Sequence, residues 1–146
     1  GVGILTWRWH QKCKHLLPFH KIPNLPFSQN TVWAAWPAPN WYRHSIVAHK
    51  GIQPYLDELC AFTGLSAEGT GLYGNQFICS AEVFADFQQF FLKCFAHFHG
   101  RYGLTGFNFW VKEADQNRLP AVFYERIACL YFANRKDLEI KQIPNR

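Results

Sequence analysis

Residues 75–98, NQFICSAEVFADFQQFFLKCFAHF, decide how the chain is read. Residues 75–79 read as a short strand, with Phe77, Ile78 and Cys79 as its apolar run. Ser80 follows, where its hydroxyl can cap a helix. Val83, Phe84, Phe87, Phe91, Cys94, Phe95 and Phe98 then recur at helical spacing. They make one apolar stripe that must face a core. A strand feeding a long amphipathic helix is a unit from which layered α/β domains are assembled.

The pattern continues on both sides of this unit. Downstream, residues 119–134 read as a second helix, entered by Pro120, with Phe123, Ile127, Leu130 and Tyr131 on one side. Leu138, Ile140 and Ile143 then suggest a closing strand. Upstream, residues 53–62 predict a helix with Pro54 in its first turn and Gly64 past its end. Residues 1–7, GVGILTW, predict a short buried strand. The expected fold is therefore α/β: a small mixed sheet flanked by about three helices, with long Pro/Trp-rich and Gly-rich loops. Residues 18–42 hold Pro18, Pro23, Pro26, Pro37 and Pro39 and read as a long ordered loop or loop pair rather than a regular element. Residues 66–74 read as a turn or mobile loop. Gly100, Gly103 and Gly106 punctuate another loop without the spacing of a phosphate-binding one.

Composition narrows the class. The 146 residues suit one domain, 1–146. Aromatics reach 18%, with 14 Phe and 6 Trp, so most must be core. No apolar run approaches the roughly 20 residues of a membrane span. Cys13, Cys60, Cys79, Cys94 and Cys129 are odd in number, widely spaced and without a Cys-x-x-Cys pair. That pattern predicts free thiols and a cytoplasmic location. The chain has no methionine and begins at Gly1, which predicts a processed chain or a piece of a longer one.

Charge is uneven. Residues 1–50 carry Arg8, Lys12, Lys14, Lys21, Arg43 and Lys50 and no acid, together with five of seven histidines and five of six tryptophans. Such a surface attracts anions and offers faces for stacking. In Trp7-Arg8-Trp9-His10-Gln11-Lys12, directly after the first strand, Arg8, His10 and Lys12 are candidates for a phosphate. A strand edge with solvated charges is the plainer reading. Glu125 and Arg126 lie in a strongly apolar helix. They read either as an internal ion pair or as an acid poised for proton transfer or for holding a sugar hydroxyl. No His-Glu-x-x-His, no Asp-x-Asp and no Gly-x-Ser-x-Gly occurs.

Residues 72–91, LYGNQFICSAEVFADFQQFF, and residues 119–144, LPAVFYERIACLYFANRKDLEIKQIP, together with VGILTWRWHQK at 2–12, carry a resemblance. In this order they are similar to bacterial glycosyltransferase-like proteins of surface-polysaccharide gene clusters. The resemblance implies a GT-A-like fold and transfer of a sugar from a nucleotide-sugar donor to a saccharide acceptor. It matches Asn75 to an Asn near the acceptor side and Glu125 and Arg126 to a Glu-Arg pair, of which Glu125 is the candidate catalytic carboxylate and Arg126 a candidate sugar-binding residue. Trp33, Trp36 and Trp41 would stack on sugar faces, and Arg8, His10 and Lys12 would meet the donor phosphates. In such proteins a nucleotide-binding region and an Asp-x-Asp metal site precede this part. No cofactor is therefore expected of this chain itself, and Mn or Mg would come only through that absent region. The chain is expected to be a fragment of a longer glycosyltransferase-like protein.

The alternative from another class is a non-catalytic module binding carbohydrate or single-stranded nucleic acid through its basic, Trp-rich first half. No RNA-recognition or helix-turn-helix signature favours nucleic acid. A third reading buries the tryptophans against a partner subunit. The oligomeric state stays open.

Overall fold

The computed structural model describes residues 2–4, 13, 15–74, 76–112 and 118–145. Strands β1 (Val2–Ile4), β2 (Thr31–Ala34), β5 (Phe77–Cys79) and β6 (Glu139–Gln142) make one mixed sheet in the order β1-β5-β2-β6. β5 pairs antiparallel with both β1 and β2, while β2 and β6 run parallel, Thr31 opposite Glu139 and Ala34 opposite Gln142. β3 (Pro37–Ala38) and β4 (Gly71–Leu72) form a separate antiparallel ribbon. Four α-helices are present among the described residues: α1 (Trp41–Ala48), α2 (Gln53–Thr63), α3 (Ala81–Tyr102) and α4 (Leu119–Ala133). The α/β class with a small mixed sheet stands, with four such helices where the sequence predicts about three.

Side-chain alternation sorts the sheet into two apolar faces. Val32, Ala34, Phe77 and Cys79 point to the side covered by α3 and α4, where Val83, Phe87 and Phe132 pack on them. Trp33 and Ile78 point to the other side, against Cys13, Leu16, Ile22 and Ile143. A third cluster joins the helices to one another through Trp41, Leu56, Phe98, Phe107, Phe123 and Ile127.

Helix α3 starts as its sequence predicts, with Ser80 Oγ accepting the Val83 N–H at 3.3 Å. Its stripe is buried at Val83, Phe87, Cys94 and Phe98. It runs on through Gly100, so only Gly103 and Gly106 of that glycine series lie past its end. Helix α4 is the central element. From Phe123 to Phe132 every residue except Glu125 is buried, as befits a helix that is apolar all round.

Two loop expectations are corrected. Residues 18–42 hold a 3-10 helix (Phe19–Asn24), β2, β3 and the first two residues of α1. Pro23 lies within the 3-10 helix, Pro18 caps it, and Pro37 lies on the short edge ribbon, where a missing N–H is tolerated. Residues 66–74 are not a free loop, because they contain β4 and lie along α4. A β-carbon at Gly71 would come within 2.9 Å of Cys129 backbone and side chain, and one at Gly69 would run into the Ala133 carbonyl. Gly69 also has φ +106°, which glycine alone adopts without strain. The glycines are there for close approach rather than for flexibility.

All five cysteines are free thiols. No helix among the described residues is long and apolar enough to cross a membrane.

Candidate functional site

The sequence of α4 leaves one charged pair in an apolar helix, and the structure separates its members by burial. The Arg126 side chain is 6% exposed and that of Glu125 is 32% exposed. Arg126 Nη1 lies 3.4 Å from Glu125 Oε2, a long contact between neighbours that point in different directions around the helix. Beneath the guanidinium is the ring of Tyr73, its centroid 4.9 Å away. Arg126 Nε is buried without a hydrogen-bond partner. A guanidinium this deep costs several kcal/mol to desolvate unless it is well paired, on the order of the penalties known for single buried ions. One long ion contact and one aromatic face offset that only in part.

Tyr73 is the hub of this corner. It follows β4, whose pairing with β3 places it beside Trp36, and its N–H donates to the Trp36 carbonyl at 3.0 Å. Its hydroxyl donates to the Trp41 carbonyl at 2.6 Å. Ser45 Oγ donates to the same carbonyl at 2.7 Å and lies 3.1 Å from the Tyr73 hydroxyl. The His44 ring meets the Tyr73 ring edge-on at 5.0 Å. Burial pushes the Tyr73 phenol up, while the Ser45 hydrogen bond and the Arg126 charge pull the other way. The phenol stays neutral near pH 7. Elements β4, α1 and α4 thus bring Tyr73, His44, Glu125 and Arg126 to one place.

The sequence candidates fall on both sides of this site. Glu125 and Arg126 belong to it, whereas Trp36 meets Tyr73 only through its backbone carbonyl, and its half-buried side chain packs instead on the cluster of Cys13, Leu16 and Ile143. Trp33 and Trp41 do not offer the stacking faces expected of them. Trp41 is fully buried in the helical core. Trp33 is 7% exposed, and its Nε1 donates to the Pro26 carbonyl at 3.0 Å. Among the described residues, the tryptophan that faces solvent is Trp110, at 54% exposure. Arg8, His10, Lys12 and Asn75 lie outside the described residues. The reading of the sequence missed Tyr73, His44 and Ser45. His44 belonged to the noted histidine excess, and Tyr73 stood in the glycine-rich stretch taken for a loop.

Other polar groups are already committed. Glu58 on α2 receives the Tyr102 hydroxyl, faces His97 Nε2 at 3.2 Å and Arg101 Nη1 at 3.3 Å, and so clasps α2 to α3. The Tyr42 hydroxyl donates to Asp57 within the α1–α2 corner. Cys79 and Cys94 are buried, as expected, and burial raises both thiols to about 11. Cys129, raised to about 12 by burial, donates its thiol to the Leu72 carbonyl at 2.9 Å. None has the depressed pKa of a reactive nucleophile. Among the described residues no three His, Cys, Asp or Glu side chains converge on one point. A cleft of about 260 Å³ opens between the start of α1 and the 67–69 segment, lined by Asn40, Tyr42, Arg43 and Glu68.

No protein-family model, no curated protein and no solved structure matches this chain.

Proposed function

We propose that this chain is the acceptor side of a glycosyltransferase-like protein with a GT-A-like fold, which transfers a sugar from a nucleotide sugar to a saccharide acceptor. Glu125 is the observation that carries the reading. It is the one acidic residue of a buried helix, it keeps a third of its side chain open, and Arg126, seated over the Tyr73 ring, lies beside it. The motif order in the sequence and the mixed α/β architecture support the same reading.

In this mechanism Glu125 accepts the proton of an acceptor hydroxyl as that oxygen attacks the anomeric carbon of the donor. The bond to the nucleoside diphosphate breaks with the electron pair leaving on the phosphate oxygen. Charge on that group needs neutralising as it departs, and Arg8, His10 and Lys12 are the basic residues assigned to it by sequence. Trp36 is the aromatic residue assigned to the acceptor by sequence, and His44 stands against Tyr73 beside Arg126. Among the described residues no cluster of three His, Cys, Asp or Glu side chains is available to Mn or Mg. Five free thiols suit a reducing compartment, and a cytoplasmic location goes with this proposal.

The test is ligand-observed NMR with a panel of oligosaccharides, followed by transfer assays with nucleotide sugars. Binding that disappears in both Glu125→Gln and Trp36→Ala upholds the proposal. A folded chain that binds no saccharide overturns it. Binding without transfer, unaffected by Glu125→Gln, points instead to a carbohydrate-binding module.

A further inference from the structure

The guanidinium of Arg126 has two ends in different circumstances. Glu125 takes the Nη1 end, at 3.4 Å. At the other end Nε is buried and without a partner, and no described residue accepts a hydrogen bond from Nη2. Nε and Nη2 together form the edge through which a guanidinium grips a carboxylate or a phosphate with two parallel N–H···O bonds. The side chain is held in place by the Tyr73 ring, and Tyr73 is itself pinned by its hydroxyl on Trp41 and its N–H on Trp36. An oriented fork with its paired edge unused is preorganised for an anion, and the desolvation of Arg126 is already accomplished in the fold.

The chemistry selects the class of group. Nε–H and Nη2–H are donors only, so their complement is an acceptor with two oxygens in one plane. A carboxylate or phosphate meets both, whereas a sugar hydroxyl meets one and leaves the buried charge uncompensated. We infer that the Nε–Nη2 edge of Arg126 receives an anionic group, a carboxylate or a phosphate, carried by the acceptor saccharide. Glu125 keeps the opposite end and remains available to the acceptor hydroxyl. The saccharide in this inference rests on the proposed function above; the anion does not.

The experiment follows the Arg126 Nε–H resonance and the unfolding midpoint of the whole chain with three probes: inorganic phosphate, glucuronate and glucose. Phosphate and glucuronate are each expected to shift the Nε–H resonance and raise the midpoint. Glucuronate should bind at least about tenfold tighter than glucose, the scale of one charge-assisted hydrogen-bonded contact. Whichever of phosphate and glucuronate binds tighter identifies the group. Arg126→Met, close in shape, should fold with an unchanged or higher midpoint, since an under-compensated buried charge has been removed. It should lose the response to phosphate. Arg126→Lys, which keeps the charge without the fork, should respond weakly.

An Nε–H resonance unmoved by either anion overturns the inference, and so does a phosphate response retained in Arg126→Met. Should Arg126→Met fail to fold, the Nε–H shift in the unsubstituted chain decides alone. Equal binding of glucuronate and glucose, both lost in Glu125→Gln, overturns the anion anchor and leaves the acceptor reading standing. A phosphate shift at Nε–H without binding of any saccharide upholds the anchor and overturns the acceptor reading.

Discussion

Asn134 holds Ser66 by both ends of its carboxamide. Its Oδ1 accepts the Ser66 N–H at 3.1 Å, and its Nδ2 donates to the Ser66 carbonyl at 2.8 Å. The same Nδ2 donates to the Leu130 carbonyl at 2.9 Å, capping the end of α4. One side chain therefore ties the start of the 66–74 segment to the helix that carries Glu125 and Arg126. Asn134→Ala removes three hydrogen bonds and is expected to lower stability by about 1–3 kcal/mol. Urea unfolding measures the loss. Amide exchange should quicken first in residues 66–74, and uniform quickening across the chain would show that the tie is not local.

Gly71 and Gly69 make the second half of that attachment. Gly71→Ala places a β-carbon 2.9 Å from Cys129, which belongs to the buried face of α4. Backbone on both sides leaves nothing flexible to move. The expected cost is about 2–4 kcal/mol, in the range of overpacking and backbone strain. It should come with a weakened β3–β4 ribbon, seen as lost exchange protection at Tyr73. A midpoint within about 0.5 kcal/mol of wild type, the usual effect of a neutral surface change, would contradict the packing described.

These two attachments also explain what was legible in the sequence. The strand-cap-helix unit of β5, Ser80 and α3 could be read because its signals are local: an apolar run, a hydroxyl and a periodic stripe. Helix α4 and the Glu125–Arg126 pair could be read because charge inside an apolar helix is conspicuous. β2 could not, since its four residues TVWA lie in a proline-rich stretch and owe their strand to partners from Phe77–Cys79 and Glu139–Gln142. The glycines of 66–74 looked like flexibility because a close approach to α4 leaves no mark in the local pattern. Tyr73 and His44 reach the site by the same long-range packing. Trp33 and Trp41 read as open faces because they lie in a basic, proline-rich stretch, whereas buried area decides where so large a side chain goes.

The Glu58 clasp gives a prediction with a built-in comparison. Glu58 is 20% exposed and joins His97, Arg101 and Tyr102, whereas Arg101 is 61% exposed. Glu58→Gln leaves the Tyr102 hydroxyl and His97 without their anionic partner and should cost about 1–3 kcal/mol. Arg101→Ala should cost no more than about 1 kcal/mol, because an exposed ion pair contributes little. Equal losses in the two variants would mean that the clasp works through surface charge alone.

Thiol chemistry reports on packing without any substitution. Cys13, Cys79, Cys94 and Cys129 are buried, and only Cys60 is partly exposed. Cys60 is itself raised, first by burial and then by Asp57 nearby, so little of it is thiolate at pH 8. Ellman's reagent should label one thiol slowly in the native chain and all five in guanidinium. Rapid labelling of two or more in the folded state would contradict the burial of Cys79, Cys94 and Cys129.

Alkaline pH should unfold the chain through its buried phenols and thiols. Burial is the largest cause of the raised values of Tyr42, Tyr73, Tyr102, Tyr124 and Tyr131, and Tyr42 reaches about 12. Cys79 and Cys94 reach about 11, and Cys129 about 12. Each group binds its proton more tightly folded than unfolded, where thiols titrate near about 8.5 and phenols near about 10. The stability they contribute is therefore complete below those unfolded values and is lost as pH rises through the folded ones. Stability should be flat to about pH 8.5 and fall steeply between about pH 10 and 12. Absorbance at the tyrosinate band and far-ultraviolet circular dichroism, followed together, should change in one transition. Phenols that all ionise near pH 10 while the helices persist would show that Tyr73 and Tyr124 are not held in the packed interior, and with them the support beneath Arg126 would be lost.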